Sequence, residues 1–278
     1  CLKNSKNKSY KNIIRNIYYK ELLFDTTTEL KNLRPFLEVL YDLFNNKIID
    51  YKLLTPSALG LYSKHIWGAL LSGYYFRSSI LNPFVVYSIS KKYNYENTKI
   101  FTPTLGWSSY AYGFLQDTNV VEYVGCDVIE KVCENTKILL KDTKNDIYCC
   151  PSEKLLSNDL FMSKYKNYFN MIFFSPPYYK LEHYKSQNQS VDLYESYEEW
   201  LSEYWENTIK LCSKLIKPNG LMIYIVGNYG KRTNLVEDMN NITKKYFDYI
   251  GKIALENKNI DFTKHKDTNE NLHFFTLK

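Results

Sequence analysis

The stretch TKIFTPTLGWSSYAYGFLQDTNVVEYVGCD, residues 98–127, decides how the chain is read. An apolar run (TKIFTPTL) enters a turn at Gly106, a helix-patterned segment (SSYAYGFLQ) follows, and a second apolar run (EYVGCDV) carries Asp127 at its end. The alternation continues with IEKVCENTKILL, NDIYCC and YFNMIFF. Short apolar runs alternating with helical periods argue for a mostly parallel sheet covered by helices on both faces.

Past YFNMIFF comes FFSPPYYK, residues 173–180. A proline lacks the donor a central strand needs, so two in succession stop the strand and start a loop. The polar stretch 180–193 (KLEHYKSQNQSVDL) follows, then a helix over 195–217 with Tyr197, Leu201, Tyr204, Trp205, Leu211 and Leu215 on one stripe, ended by a turn at KPNG. The strand LMIYIVG, a helix around VEDMNNITKKYF and a terminal strand pair, YIGKIAL and NLHFFTL, complete the pattern. Toward the N-terminus, residues 1–95 read as a helical extension, including TELKNLRPFLEVLYDLFNNKII and TPSALGLYSKHIWGALLSGYYF, the latter with Thr55 and Pro56 as helix-start signals. The expected division is a helical extension over 1–95 and an α/β domain over 96–278.

With 278 residues, 45% of them hydrophobic, the chain can bury a full core. A net charge of +6 suits a polyanionic partner, although the lysines form no long basic block. The abundance of Lys, Asn, Ile and 27 Tyr matches an AT-rich coding bias, which lowers the information in any one tyrosine. Six cysteines without a Cys-x-x-Cys spacing or a Cys/His cluster argue against a zinc site and against a disulfide framework. The polar, basic start shows no secretory signal and no apolar run reaches the roughly 20 residues of a membrane span, so an intracellular protein is expected.

In a doubly wound sheet, ligands sit beyond the carboxyl ends of the strands. Gly106 permits a tight turn and close ligand approach after the first strand. Asp127 ends the next strand 21 residues later, near the offset at which an acid reaches ribose hydroxyls. Alone, a glycine turn is often only a turn and a strand-end Asp is often a helix cap. The absence of GxGxxG argues against a nicotinamide enzyme. The third turn, SPPY, presents carbonyl acceptors, the Ser175 hydroxyl and the flat ring of Tyr178, a fitting host for a planar ring bearing an NH2 group. The plainer reading is a strand terminator with an incidental tyrosine.

SPPY after an apolar strand, downstream of a glycine loop and an acid, resembles the motif set of the S-adenosylmethionine-dependent DNA amino-methyltransferases, over roughly residues 75–230. SPPYYKLEHY and PTLGWSSYAYGF look like the phage and large-virus form of that family. The resemblance implies a Rossmann-like class I methyltransferase fold with a mostly parallel seven-stranded sheet. It implies methyl transfer from S-adenosylmethionine to adenine N6 or cytosine N4 in DNA, with the base flipped out of its duplex. Carried over by position, Ser175, Pro176, Pro177 and Tyr178 match the catalytic tetrapeptide, with Ser175 and the Pro176 carbonyl on the amine and Tyr178 stacked on the base. Thr102, Thr104, Gly106, Trp107 and Ser108 match the loop around the donor's methionine part. Asp127 matches the ribose acid, and Ser152 and Glu153 match contacts near the adenine. Pro83 and Phe84 match a helical segment covering the methionine end.

Thr102 stands where an acid usually opens the glycine loop, and Ser108 where a second glycine is common. An αL conformation at Ser108 would cost on the order of 1 kcal/mol or more. Stretch 180–193 reads either as a loop closing over the base or as a plain linker, with Lys180, His183 and Lys185 as candidate phosphate contacts. Two other functions stay open: a catalytically silent methyltransferase-fold subunit with a nucleic-acid-binding or structural role, and a methyltransferase acting on RNA or a protein amide. Without a segment resembling a target-recognition domain, sequence specificity is either short or supplied by a protein partner or a missing portion.

Overall fold

The protein is described from a computed structural model covering residues 2–4, 6–28, 33–46, 56–64, 75–76, 78–229, 234–256 and 270–278. Thr55 and residues 29–32, 47–49 and 65–74 of the segments singled out above lie outside these residues.

Ten strands are described: β1 (Leu2–Lys3), β2 (Arg34–Pro35), β3 (Tyr75–Phe76), β4 (Thr98–Thr102), β5 (Val120–Asp127), β6 (Lys144–Cys149), β7 (Phe169–Phe174), β8 (Ile216–Val226), β9 (Phe247–Glu256) and β10 (Asn271–Leu277). Eight form one sheet in the order β1-β9-β10-β8-β7-β4-β5-β6, and β2 pairs with β3 separately. The pairs β4–β5, β5–β6, β4–β7 and β7–β8 are parallel, while β10 runs antiparallel to both β8 and β9. Numbered from β4, the seven main strands follow 3-2-1-4-5-7-6 with the seventh reversed. This is the Rossmann-like sheet of class I methyltransferases. The eighth strand corrects the expected count: Leu2–Lys3 joins the edge alongside β9.

The central strands read as near-continuous apolar runs because helices cover both faces. Ile100, Phe101, Ile172, Phe173 and Phe174 are fully buried. Part of the segment before residue 96 packs as a layer on this sheet. Helix Pro83–Tyr93 starts at Asn82, whose Oδ1 accepts the Phe84 N–H at 3.0 Å. It approaches the helix Ser109–Phe114 so closely that a Cβ on Gly113 would meet Val86 Cβ at 2.5 Å and the Pro83 carbonyl at 2.6 Å.

Two sequence expectations change. The single helix over 195–217 is a helical turn Tyr197–Glu199, a π-helical segment Trp200–Trp205 and the α-helix Glu206–Leu215. Widening to a π turn shifts the phase of the stripe, so Trp200, Ile209 and Cys212 are buried alongside Tyr204, Trp205, Leu211 and Leu215, while Leu201 stays only partly buried. KPNG is not a turn ahead of the strand but a bulge within β8: Phe169 pairs with Ile216 and Met171 with Leu221, so residues 217–220 are extruded between paired positions.

His273, on β10, is 2% exposed between the rings of Tyr224 and Tyr249. Burial, with Lys252 adding to it, lowers its pKa from 6.5 to about 4. The unfolded chain takes up this proton near pH 6.5 whereas the folded chain waits until about pH 4, so stability falls as pH drops through that window and is unaffected by this group below it. Urea unfolding between pH 7 and pH 4 should show this decline, and His273→Phe should flatten it.

Candidate functional site

A cavity of about 520 Å³ opens at the carboxyl ends of β4, β5, β6 and β7, where the connections leave the sheet in opposite directions around β4. All three turns singled out in the sequence line it.

The first turn is strained. Gly106, Trp107 and Ser108 hold φ of +52°, +58° and +60° in succession, a left-handed run that suits glycine but not the other two residues. A Cβ on Gly106 would lie 2.2 Å from Cζ of Tyr110, so only glycine fits. Tertiary contacts hold the other two. Ser108 Oγ bonds both the Tyr18 hydroxyl and Thr136 Oγ1, the latter at 2.7 Å, and the Trp107 ring lies 5.7 Å from that of Tyr18 and 5.6 Å from that of Tyr184. Trp107, Thr104 and Gly106 line the cavity. Thr102 and Ser108 do not: Thr102 Oγ1 bonds the Tyr123 hydroxyl at 2.7 Å in the core, and Ser108 is 3% exposed with its hydroxyl engaged. Neither side chain can therefore contact a ligand there.

At the second turn, Asp127 Oδ2 accepts the Leu105 N–H at 2.9 Å and Oδ1 accepts the Ile129 N–H at 3.1 Å. One carboxylate thus joins the turns after β4 and β5. Burial raises its pKa, against the backbone donors of Leu105, Ile129 and Val128, which favour the charged form. A carboxylate offers about four lone-pair sites, so with three backbone donors around it acceptor capacity remains for a hydroxyl in the cavity. After β6, Ser152 and Glu153 also line the wall. Burial raises the Glu153 pKa too, and its Oε1 accepts the Tyr194 hydroxyl at 2.9 Å.

The tetrapeptide forms the opposite wall, with Ser175, Pro176, Pro177 and Tyr178 all lining the cavity. Ser175 is fixed on three sides. Its N–H donates to the Tyr110 hydroxyl at 3.1 Å, its carbonyl accepts from Thr104 Oγ1 at 3.0 Å, and its Oγ donates to the Ile225 carbonyl at 3.3 Å. Spending the hydroxyl proton on Ile225 leaves Oγ as an acceptor toward the cavity. The Tyr178 hydroxyl accepts the Gly227 N–H at 2.9 Å and donates to Glu270 Oε1 at 3.2 Å, and its ring stacks on Tyr229 at 5.5 Å. Tyr178 is therefore a fixed platform with one face already occupied. Burial first, and Glu270 second, push its hydroxyl pKa well above the usual value.

The polar stretch 180–193 is not a free linker. His183 and Thr27 exchange two backbone hydrogen bonds of 3.0 Å, Thr28 Oγ1 donates to the Leu181 carbonyl at 2.7 Å, and Ser186 Oγ donates to the Val128 carbonyl at 2.6 Å. Glu182 Oε1 accepts the Ser79 N–H at 3.0 Å and Oε2 accepts the Tyr184 hydroxyl at 2.5 Å. Lys180, His183 and Lys185 do not line the cavity. Lys180 sits over the Tyr179 ring, and Lys185 Nζ is 4.0 Å from Asp25. Pro83 and Phe84 also stand outside it, and Ser78–Leu81 before them contribute instead.

Sequence reasoning missed Tyr110, Glu182, Tyr184, Tyr229, Glu270 and the N-terminal pair Lys11 and Arg15, all of which line the cavity. The tyrosines were hidden by composition. Lys11 and Arg15 carried a usable signal, because they share a helical face with Ile14 and Tyr18.

No family model matches the chain, and no curated protein matches it. Solved structures do. A TehB-like SAM-dependent methyltransferase from Corynebacterium glutamicum is 12% identical, with 81% of this chain and 100% of that one covered at a TM-score of 0.44. An inferred rRNA-methylase from Clostridium thermocellum is 14% identical, covering 69% and 92% at 0.45. TrmN from Thermus thermophilus is 9% identical, covering 71% and 49% at 0.48.

Proposed function

We propose that the protein transfers a methyl group from S-adenosylmethionine to the exocyclic amine of a flipped adenine or cytosine in DNA. The observation that carries this reading is the 3.0 Å bond from Thr104 Oγ1 to the Ser175 carbonyl, which fastens the glycine turn against the tetrapeptide inside one cavity. A donor site and an amine site are thereby held in contact.

The residues present fit the donor. Gly106 leaves room no other residue could give, Asp127 keeps acceptor capacity for a ribose hydroxyl, and Ser152 and Glu153 lie on the adenine side. When bound, S-adenosylmethionine supplies an electrophilic methyl group. The chain's own part is to bind and orient. An exocyclic amine is a weak nucleophile because its lone pair is delocalised into the ring. Ser175 Oγ, with its proton turned to Ile225, and the Pro176 carbonyl accept the two amine hydrogens and favour positive charge growing on nitrogen. Tyr178, held at its hydroxyl by Gly227 and Glu270, offers its remaining face to the base. A paired base cannot reach such a recess, so it must leave the stack.

The test is incubation of the purified chain with methyl-labelled donor and, separately, DNA, RNA and protein, followed by digestion to nucleosides or amino acids. Label in N6-methyldeoxyadenosine or N4-methyldeoxycytidine is expected. Label confined to RNA or protein would overturn the DNA assignment, and none in any acceptor would overturn the activity.

A further inference from the structure

The π-helical segment Trp200–Trp205 packs against the helical turn Ser152–Ser157 that follows β6. Most polar aromatic atoms in and around this segment are spent. Trp200 Nε1 donates to Ser190 Oγ at 3.1 Å and Trp205 Nε1 to the Met239 carbonyl at 3.0 Å, while the Tyr194 and Tyr197 hydroxyls donate to Glu153 and Asp238, each at 2.9 Å. Tyr204 is the exception. It is 3% exposed and lines the cavity, and its hydroxyl has no hydrogen-bond partner among the described residues. A hydroxyl withdrawn from water without a replacement bond is costly. A ligand entering this recess would supply the missing partner.

The surroundings limit what that partner is. Burial first, and the nearby Glu153 carboxylate next, push the Tyr204 pKa well above the usual value, so the hydroxyl keeps its proton and can donate. Glu153, itself 5% exposed and on the cavity wall, accepts from the Tyr194 hydroxyl and from its own backbone N–H, and a carboxylate has lone pairs beyond those two. A donor near an acceptor matches a ring edge that carries a bare nitrogen next to an NH2 group. Adenine presents that edge twice, since its 6-amine lies between N1 and N7 and neither nitrogen bears a hydrogen. Guanine and hypoxanthine carry at that position an oxygen, which a carboxylate repels. We propose that Tyr204 is a specificity-determining residue for the donor's nucleobase, its hydroxyl donating to a ring nitrogen beside the adenine 6-amine while Glu153 accepts from that amine. A site built to bond such groups rejects a ring that lacks them, because its own buried polar atoms are then left unpaired.

This rests on S-adenosylmethionine being the donor, and one experiment separates the two ideas. Wild type and Tyr204→Phe are titrated calorimetrically with S-adenosylhomocysteine, the donor without its methyl group, and with its 1-deaza and 7-deaza analogues, each of which replaces one ring nitrogen by C–H. Wild type should bind one of the two analogues about tenfold or more weakly than the parent. Tyr204→Phe, which keeps the ring that contacts Trp200 at 5.1 Å, should lose a similar factor for the parent and bind the parent and that analogue within about twofold of each other. Unchanged binding of the parent by Tyr204→Phe overturns the proposal and leaves the hydroxyl to a buried water. Equal loss for the parent and both analogues, the mark of disturbed packing, overturns it too, as does a wild type indifferent to both replacements. A wild type that binds neither S-adenosylmethionine nor S-adenosylhomocysteine refutes the donor reading itself.

Discussion

Replacing Asp127 with alanine is expected to weaken S-adenosylmethionine binding by at least about 100-fold, the consequence of losing two or more hydrogen bonds to a charged acceptor. The substitution acts twice. It removes the acceptor proposed for the ribose hydroxyls, and it unties the Leu105 and Ile129 N–H groups that Oδ2 and Oδ1 now hold at 2.9 and 3.1 Å. Because these donors belong to the turns after β4 and β5, the walls of the donor site lose their mutual register. Asp127→Asn should be intermediate, since an amide can accept from one of the two N–H groups but turns its NH2 toward the other. The carboxyl's burial, which raises its pKa, adds a pH signature. As pH falls toward that raised pKa, the carboxylate protonates and acceptor capacity is lost, so wild-type donor affinity should decline at higher pH than for an exposed aspartate. In Asp127→Ala this decline should vanish. Calorimetric titration across pH checks both points, and donor affinity unchanged in the alanine variant would refute the role.

Much of this pocket was legible in the sequence because the relevant contacts are local in pattern. A glycine after an apolar run, an acid at the end of the next and two prolines closing a third each mark a strand end, and strand ends in a parallel sheet converge. The rest depends on contacts that no local pattern encodes. The left-handed Ser108 reads as a defect until Tyr18, 90 residues earlier, bonds its hydroxyl. Thr102 reads as a degraded donor contact until Tyr123 bonds it in the core, where it serves the sheet instead. Stretch 180–193 is polar in composition yet pinned by Thr27, Thr28, Ser79 and Val128, partners far away in sequence. In the helix after it Tyr204, Trp205, Leu211 and Leu215 keep the expected stripe, while a π-helical segment, a backbone feature that shifts side-chain phase without any marker residue, brings Trp200 into the core and leaves Leu201 partly buried.

Tyr178→Ala should lower turnover by on the order of 100-fold or more while changing donor affinity by less than about threefold, because the group it removes is the one proposed to act on the amine-bearing ring and not on the donor. The geometry makes the conservative variant the more telling one. Tyr178→Phe keeps the ring and its contact with Tyr229 but leaves the Gly227 N–H without its acceptor and Glu270 without this donor. If the hydroxyl only fixes the platform, phenylalanine should retain most of the turnover, with a KM for DNA raised by the looser ring. Pro176→Ala tests the other half of the site. It restores a backbone N–H and frees φ at the carbonyl proposed to receive the amine, so kcat should fall with donor affinity intact. Steady-state kinetics in DNA, paired with donor titrations, separate these outcomes. Equal loss of donor affinity and turnover in both tetrapeptide variants would mean that SPPY merely ends a strand and buttresses the donor wall through Thr104, and the amine site would have to be sought elsewhere in the cavity.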